Sequence, residues 1–190
     1  MDIAIDRRAN FNASRLQQMH TLRAKIFRDK KEWDVSVIAG MEIDGYDALD
    51  PYYMILGEAD DKGSVYGCWR LLPTLGPNML ADTFPELLNG DPAPRAEGTW
   101  ELSRFAIEQN AAKAGTFSQR SLTAIRAVVQ FGVNRGLVNF VTVTTVGVEK
   151  LLIRLGLDVR RLGPARVIGV ERAVALSIQL NTKTLNALAE

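Results

Sequence analysis

The run Val138 to Thr145 is rich in β-branched residues and carries no charge, the signature of a strand buried on both faces. An amphipathic helix flanks it on each side. Ser118 is placed to cap the first, whose Leu122, Ile125, Val129 and Val133 share one face before Gly136 ends it. Val148, Leu151, Leu152 and Leu155 mark the second, stopped by Gly156. A buried strand between two one-sided helices demands a sheet with helices laid on it, and the rest of the chain supplies one. Tyr52 to Ala59 and Ser64 to Leu72 read as a strand pair joined by the turn-prone Asp60-Asp61-Lys62-Gly63. Thr99 to Ile107, Arg166 to Val170 and Arg172 to Leu180 read as further strands, and a short helix is expected from Thr182. At the other end, Leu16, Met19, Leu22 and Ile26 define an amphipathic helix over Ser14 to Phe27, with Ser14 as its expected cap. Two excursions lack a period: Arg28 to Pro51, and Pro73 to Pro94, which holds five of the seven prolines. Loops of that length inside a domain are usually functional or disordered, and the aromatics of the first favour function. The expectation is one α/β (α+β) domain over residues 1–190, with helices covering a central mixed, mostly antiparallel sheet.

Composition removes several function classes. With 23 Lys+Arg against 22 Asp+Glu the formal net charge is +1, which disfavours a uniformly basic nucleic-acid binder. Cys68 is the only cysteine and His20 the only histidine, so a disulfide framework, a Cys- or His-built metal site and a Ser-His-Asp triad lack material. Asp2, Asp6, Arg7 and Arg8 interrupt the N-terminus, no run is long enough to span a bilayer, and a reducing cytoplasm is the expected setting.

The residues that could carry chemistry form four groups: Arg23 with Phe27 and Trp33; Asp44-Gly45-Tyr46-Asp47; Arg70; and Glu101-Leu102-Ser103-Arg104. Arg23 and Phe27 lie four apart and share a helix face. Along a strand, Glu101 and Ser103 point one way and Leu102 and Arg104 the other unless a bulge intervenes, and bulges are common beside active sites. Taken singly, each group has a structural explanation: a surface arginine, core aromatics, an ion-pair network pinning a loop to a sheet. Their joint order is the informative feature.

That order resembles the acyl-homoserine-lactone synthases of bacterial quorum sensing. The likeness runs through Arg23-Ala24-Lys25-Ile26-Phe27, Trp33, Asp44-Gly45-Tyr46-Asp47, Gly67-Cys68-Trp69-Arg70-Leu71, Phe84 and Glu101-Leu102-Ser103-Arg104-Phe105. It continues through Val141-Thr142-Val143-Thr144-Thr145 and Val148 to Gly156, and so covers nearly the whole chain. The resemblance implies an acetyltransferase-like α/β/α sandwich that joins an acyl group to S-adenosylmethionine and then closes a lactone with release of methylthioadenosine. S-adenosylmethionine would be a consumed substrate, with no separate cofactor and no metal. An acylated acyl carrier protein would be the acyl donor, with acyl-coenzyme A as the donor in some relatives. An acyl-coenzyme-A-dependent N-acyltransferase of the same fold acting on another amine is the alternative.

The resemblance also implies roles. Arg23, Asp44, Asp47 and Arg70 would order the N-terminal loop, while Phe27, Trp33, Glu101 and Arg104 would lie nearer the reacting groups. Glu101, directly or through one water, is a reasonable general base for the substrate ammonium. Backbone N–H groups near Ser103 to Phe105 would face the oxyanion, with Phe105 beside the bound substrate. Trp33 and Phe27 can offer ring faces to sulfonium and adenine; Arg104 or Arg23 can hold the carboxylate, and Asp44 or Asp47 the ammonium or a bridging arginine. The acyl chain needs an apolar pocket, for which Met79, Phe84, Leu102, Leu122, Ile125, Val143, Thr144, Leu151, Leu152 and Leu155 are candidates. An acidic carrier protein needs a basic patch: Lys150 and Arg154 lie four apart on one helix face, and Arg120, Arg126, Arg160 and Arg161 are possible additions.

Overall fold

A computed structural model describes residues 2–58, 63–108 and 118–189. Residues 60–62 of the expected turn between the first strand pair lie outside the described residues. The chain divides into two compact units, Met1–Leu71 with Arg104–Asn110, and Leu72–Ser103 with Ala111–Glu190.

In the first unit, β1 (Asp2–Arg7) is followed by α1 (Ala13–Ala24), whose cap is Asn12 rather than Ser14: the Asn12 side chain accepts from the Arg15 N–H. The helix then widens into a π turn over Lys25–Lys30, the end of the segment expected to be helical through Phe27. Within the aperiodic stretch that follows, β2 (Val37–Ile38) pairs with β3 (Met41–Glu42), and a short 3₁₀ turn covers Gly45–Leu49. The expected strand pair forms as β4 (Tyr52–Gly57) and β5 (Val65–Pro73), the latter running two residues into the second unit. β1, β4 and β5 pair antiparallel in that order, with Asp6 opposite Tyr53 and Tyr53 opposite Arg70. Met19, Leu22, Ile26 and Phe27 close over Tyr53, Ile55 and Cys68 to form this unit's core. Burial pushes the Cys68 thiol up to about 12, so it is an inert apolar side chain and not a nucleophile.

The second unit adds α2 (Met79–Asp82), a 3₁₀ turn at Pro85–Leu88, and β6 (Thr99–Ile107), whose last residues from Arg104 belong to the first unit. Then come α3 (Gln119–Asn134), β7 (Asn139–Thr145), α4 (Val146–Arg154), β8 (Val159–Arg161), β9 (Arg166–Ile168), β10 (Glu171–Gln179) and α5 (Thr182–Ala187). Ser118 caps α3 as expected, accepting from the Ser121 N–H, and Gly136 and Gly156 end α3 and α4 at positive φ. β6 pairs parallel with β7, with α3 in the connection between them; the pairings of β10 with β7, β8 and β9 are antiparallel. The parallel register runs only from Thr99 opposite Asn139 to Leu102 opposite Thr142.

Gly132 lets α3 approach this unit's sheet closely. A Cβ there would fall 2.7 Å from both Leu180 Cδ1 and Phe140 Cζ. Overpacking of that kind costs about 1–3 kcal/mol, more than the ~1 kcal/mol of helix propensity that alanine gains over glycine. Gly132→Ala is therefore expected to lower the thermal midpoint, readable in a circular-dichroism melt.

Candidate active site

The first unit holds a cluster of six charged side chains, four of them buried and two, Asp44 and Arg104, partly exposed. Arg23 comes from the last turn of α1, Glu42 from β3, Asp44 and Asp47 from the 3₁₀ turn, Arg70 from β5 and Arg104 from β6; Arg23, Glu42 and Arg70 are each 0% exposed. Asp44 and Asp47 first shape their own turn. Asp44 accepts from the Tyr46 N–H and Asp47 accepts from the Asp44 N–H, a reciprocal cap at the start of the turn. Arg23 then forks onto Asp47, with Nη1 and Nη2 each 2.9 Å from a carboxylate oxygen, while its Nε donates to Glu42. Arg70 bridges Asp47, at 2.9 Å, and Asp44. Arg104 closes the set, its Nε 3.0 Å from Glu42 and its Nη2 2.8 Å from Asp44. Three guanidiniums meet three carboxylates, so the buried charges cancel, which is the condition for burying them at all.

Tyr53 and His20 complete the surroundings. The Tyr53 hydroxyl donates to Asp47, and burial together with the Asp47 charge pushes its own pKa up, so it is purely a donor here. Burial and the Arg23 charge pull His20 down, and the neutral ring keeps Nδ1 2.8 Å from the Glu42 carbonyl. For Asp47, burial pushes its carboxyl up, but the hydrogen bonds and charge of Arg23, joined by Arg70, hold it well below the usual carboxylate range.

Beside the cluster, the π turn brings two aromatic rings together. The Lys31 N–H reaches back to the Ile26 carbonyl at 3.1 Å, Glu32 takes up φ +55°, and the Trp33 N–H donates to the Phe27 carbonyl at 2.9 Å. The chain is thereby folded so that the Trp33 and Phe27 rings stack, 5.2 Å apart and 3° from parallel. Cations lie over both: Arg104 Cζ 5.7 Å from the Phe27 centroid and Lys31 Nζ 4.6 Å from that of Trp33. Phe105 packs on Trp69 at 4.2 Å.

Arg104 has φ +60°, a left-handed conformation that a non-glycine residue adopts at a cost. This kink breaks the regular alternation of β6, as a bulge would, and the Arg104 carbonyl accepts from the Cys68 thiol. In the second unit Glu101 is 1% exposed, its carboxylate accepting from the backbone N–H groups of Met79 at 3.1 Å and Leu80 at 2.6 Å. Ser103 is buried nearby in sequence, and the Thr142 hydroxyl donates to the Leu102 carbonyl at 2.8 Å. Beyond that pair, Val143, Thr144 and Thr145 continue their ladder with β10.

Of the acyl-pocket candidates, Met79, Leu102, Ile125 and Leu152 are buried; Phe84, Leu122, Val143, Thr144, Leu151 and Leu155 are half-buried, with Phe84 and Val143 against Leu80, Leu87 and Val141. Lys150 and Arg154 are exposed on α4. Arg161 is already engaged by Glu149, at 2.6 and 2.7 Å. Among the described residues no group of three or more His, Cys, Asp or Glu side chains could hold a metal ion, and no helix is long and apolar enough to cross a membrane.

Residues 8–188 match the family model described as autoinducer synthase. The chain belongs to this family. An acyl-homoserine-lactone synthase of Pseudomonas aeruginosa is 54% identical over 188 residues, covering 99% of this chain and 94% of that protein. One from Aliivibrio fischeri is 36% identical over 171 residues, covering 88% of each. The crystal structure of the acyl-homoserine-lactone synthase LasI superposes with a TM-score of 0.90 at 53% identity, covering 98% of this chain and 93% of that one. An N-acetyltransferase of Lactobacillus plantarum and an acyl-CoA N-acyltransferase of Pseudomonas aeruginosa share the fold alone, with TM-scores of 0.60 and 0.62 at 15% and 12% identity. The autoinducer synthase is thus an acyltransferase enzyme on the acetyltransferase-like fold.

All four residues expected to order the loop, Arg23, Asp44, Asp47 and Arg70, meet in one network, and Arg104 joins them. Sequence reasoning missed Glu42, the third carboxylate. Its signal was a charge count: three clustered arginines need three anions, and Glu42 stands two residues before Asp44.

Proposed function

We propose that residues 1–190 act as one synthase domain that joins the α-amino group of S-adenosylmethionine to an acyl group carried as a thioester on acyl carrier protein, then closes the homoserine lactone and expels methylthioadenosine. Family membership supports the class of reaction. The observation that carries the substrate is the partly exposed Trp33 ring, backed by the buried Phe27 over which Arg104 lies: flat aromatic surface next to a guanidinium suits a ligand with a sulfonium, a purine and a carboxylate. Two solved relatives support the S-adenosylmethionine part of this reading. TofI, 31% identical with a TM-score of 0.84 and covering 100% of this chain and 97% of its own, was solved with methylthioadenosine and an inhibitor. BjaI, a CoA-dependent synthase 25% identical with a TM-score of 0.80 and covering 91% of this chain and 79% of its own, was solved with S-adenosylmethionine and isopentyl-CoA.

In the first step the substrate ammonium gives its proton to Glu101. Both Glu101 oxygens accept a backbone N–H, and the proton passes to this carboxylate directly or through one water. The free amine attacks the thioester carbonyl, the oxyanion is held by backbone N–H groups near Ser103 to Phe105, and the thiol leaves. The substrate carboxylate, oriented by Arg104, then displaces the sulfonium from its γ-carbon. Sulfonium is a good leaving group, so this step asks mainly for geometry. No separate cofactor is needed, because S-adenosylmethionine is consumed, and the cytoplasm is the setting for both substrates.

Two features favour the carrier protein over coenzyme A as donor. The N-terminus of α3 is capped by Ser118, with no glycine between residues 118 and 123 to form a phosphate-cradling loop. Lys150 and Arg154 stand exposed where an acidic partner could reach them. The test supplies S-adenosylmethionine with the same acyl group on either carrier and measures methylthioadenosine. The carrier-protein thioester should give the higher kcat/KM, and reversing Lys150 and Arg154 to glutamate should raise its KM about tenfold with kcat held. A preference for the coenzyme A thioester overturns the donor; acylation of an amine without methylthioadenosine overturns the synthase reading.

A further inference from the structure

We propose that Lys31 is a built-in rival for the cationic part of the substrate, and that it sets how sharply the enzyme separates S-adenosylmethionine from its uncharged thioether counterpart. This rests on the reading of the Phe27–Trp33 stack as the seat of the sulfonium. The Lys31 ammonium lies 4.6 Å from the centre of the Trp33 ring, a distance at which a cation is attracted by the ring's quadrupole. Phe27 lies against the same indole, nearly parallel to it. The aromatic surface that would receive a ligand cation therefore already carries one of the protein's own.

The backbone here is held by the Lys31 N–H bond to Ile26 and the Trp33 N–H bond to Phe27, and Glu32 between them is in the left-handed region. Lys31 and Trp33 cannot easily separate at the main chain. The lysine stem, by contrast, is a flexible four-carbon arm with a compact charge at its tip. Two positive charges cannot share one ring face without repelling each other, so a sulfonium arriving at Trp33 displaces the ammonium from the ring. What the sulfonium gains on the ring is reduced by what Lys31 gives up. A neutral thioether sends nothing away. Lys31 thus weakens the binding of the charged substrate selectively, and removing its charge should restore the difference between the two ligands.

The experiment measures binding of S-adenosylmethionine and S-adenosylhomocysteine to the full chain by titration calorimetry. Lys31→Met keeps the length and apolar character of the stem without the charge. It should lower the Kd for S-adenosylmethionine about three- to fivefold, the scale of an exposed cation–π contact, while that for S-adenosylhomocysteine stays within about twofold. Lys31→Arg, whose planar guanidinium stacks better on an indole, should instead weaken S-adenosylmethionine binding. Weaker substrate binding in Lys31→Met, or equal shifts for both ligands, overturns the role of Lys31. If the parent protein releases methylthioadenosine and the Lys31→Met affinities do not move, only this inference fails. If the parent neither binds S-adenosylmethionine nor releases methylthioadenosine, the underlying reading fails with it.

Discussion

Asp47→Ala is expected to cost about 3–5 kcal/mol of folding stability, the scale measured when one partner of a buried ion pair is removed and the other charge is left uncompensated. Asp47 accepts from Arg23 twice, from Arg70, from the Tyr53 hydroxyl and from the Asp44 N–H, so its loss orphans five donated hydrogen bonds. Against a total stability of about 5–15 kcal/mol, that is between about a fifth and the whole of the margin. Urea unfolding reads it: the midpoint should fall steeply, with the m-value unchanged if the native state is otherwise intact. Asp47→Asn keeps one acceptor oxygen and should recover part of the loss. The contrast is Arg28 with Asp29, each half exposed, where Arg28→Ala should stay within about 0.5 kcal/mol. A midpoint for Asp47→Ala as close to the parent as that of Arg28→Ala would show the network to be dispensable.

The same pairing fixes a pH dependence. The folded Asp47 carboxyl is held below its ordinary value, while in the unfolded chain it returns to about 4. Its contribution is therefore complete above that pH and drains away as the pH falls below it, because the unfolded state then binds the proton more readily. His20 acts in the same direction at a higher pH. Its folded value is lowered by burial, so stability declines as the pH drops through about 6.5, where the unfolded histidine takes up its proton. Stability measured from pH 7 to pH 3 should fall in two stages, the later one flattened in Asp47→Asn.

How far the sequence could be read depended on whether the signal was local. Ser118, Gly136 and Gly156 mark helix ends by their own chemistry, and the structure has them doing so. The β-branched run became β7 within one residue of its expected start. Asn12 displaced Ser14 as the cap of α1 because both are good caps and only the direction of the preceding chain decides between them. β1 and β8 went unread: β1 does alternate, with Ile3 and Ile5 between Asp2, Ala4 and Asp6, while the three residues of β8 are too few to show a period. In the charged cluster the order of motifs named Arg23, Asp44, Asp47 and Arg70, but the identity of each partner is a tertiary fact. Arg104 was expected near the substrate; the structure has it bonded to Glu42 and Asp44, at a φ of +60° that a regular strand does not adopt. No periodicity argument contains that angle.

Glu101 is where the sequence pattern and the local packing make separate demands, and two substitutions pull them apart. Its carboxylate ties down the N–H groups of Met79 and Leu80 at the start of α2. Glu101→Ala leaves both donors buried without that acceptor, at about 1–3 kcal/mol each, so lost activity in that variant alone would not separate chemistry from folding. Glu101→Gln keeps a carbonyl oxygen for one of the donors and the same side-chain length, but it cannot take a proton. If Glu101 is the base proposed above, Glu101→Gln should melt closer to the parent than Glu101→Ala does, yet lose about 10²–10⁴ in kcat, the usual contribution of general base catalysis. The residual rate should also change character. Without a base the substrate must arrive as the free amine, so the rate should climb about tenfold per pH unit up to the α-amino pKa near 8, whereas the parent should level off earlier. Parental turnover in Glu101→Gln, with a flat pH profile, would reduce Glu101 to a residue that positions α2 and move the base elsewhere. A rate loss that merely tracks the fall in melting temperature across both variants would do the same.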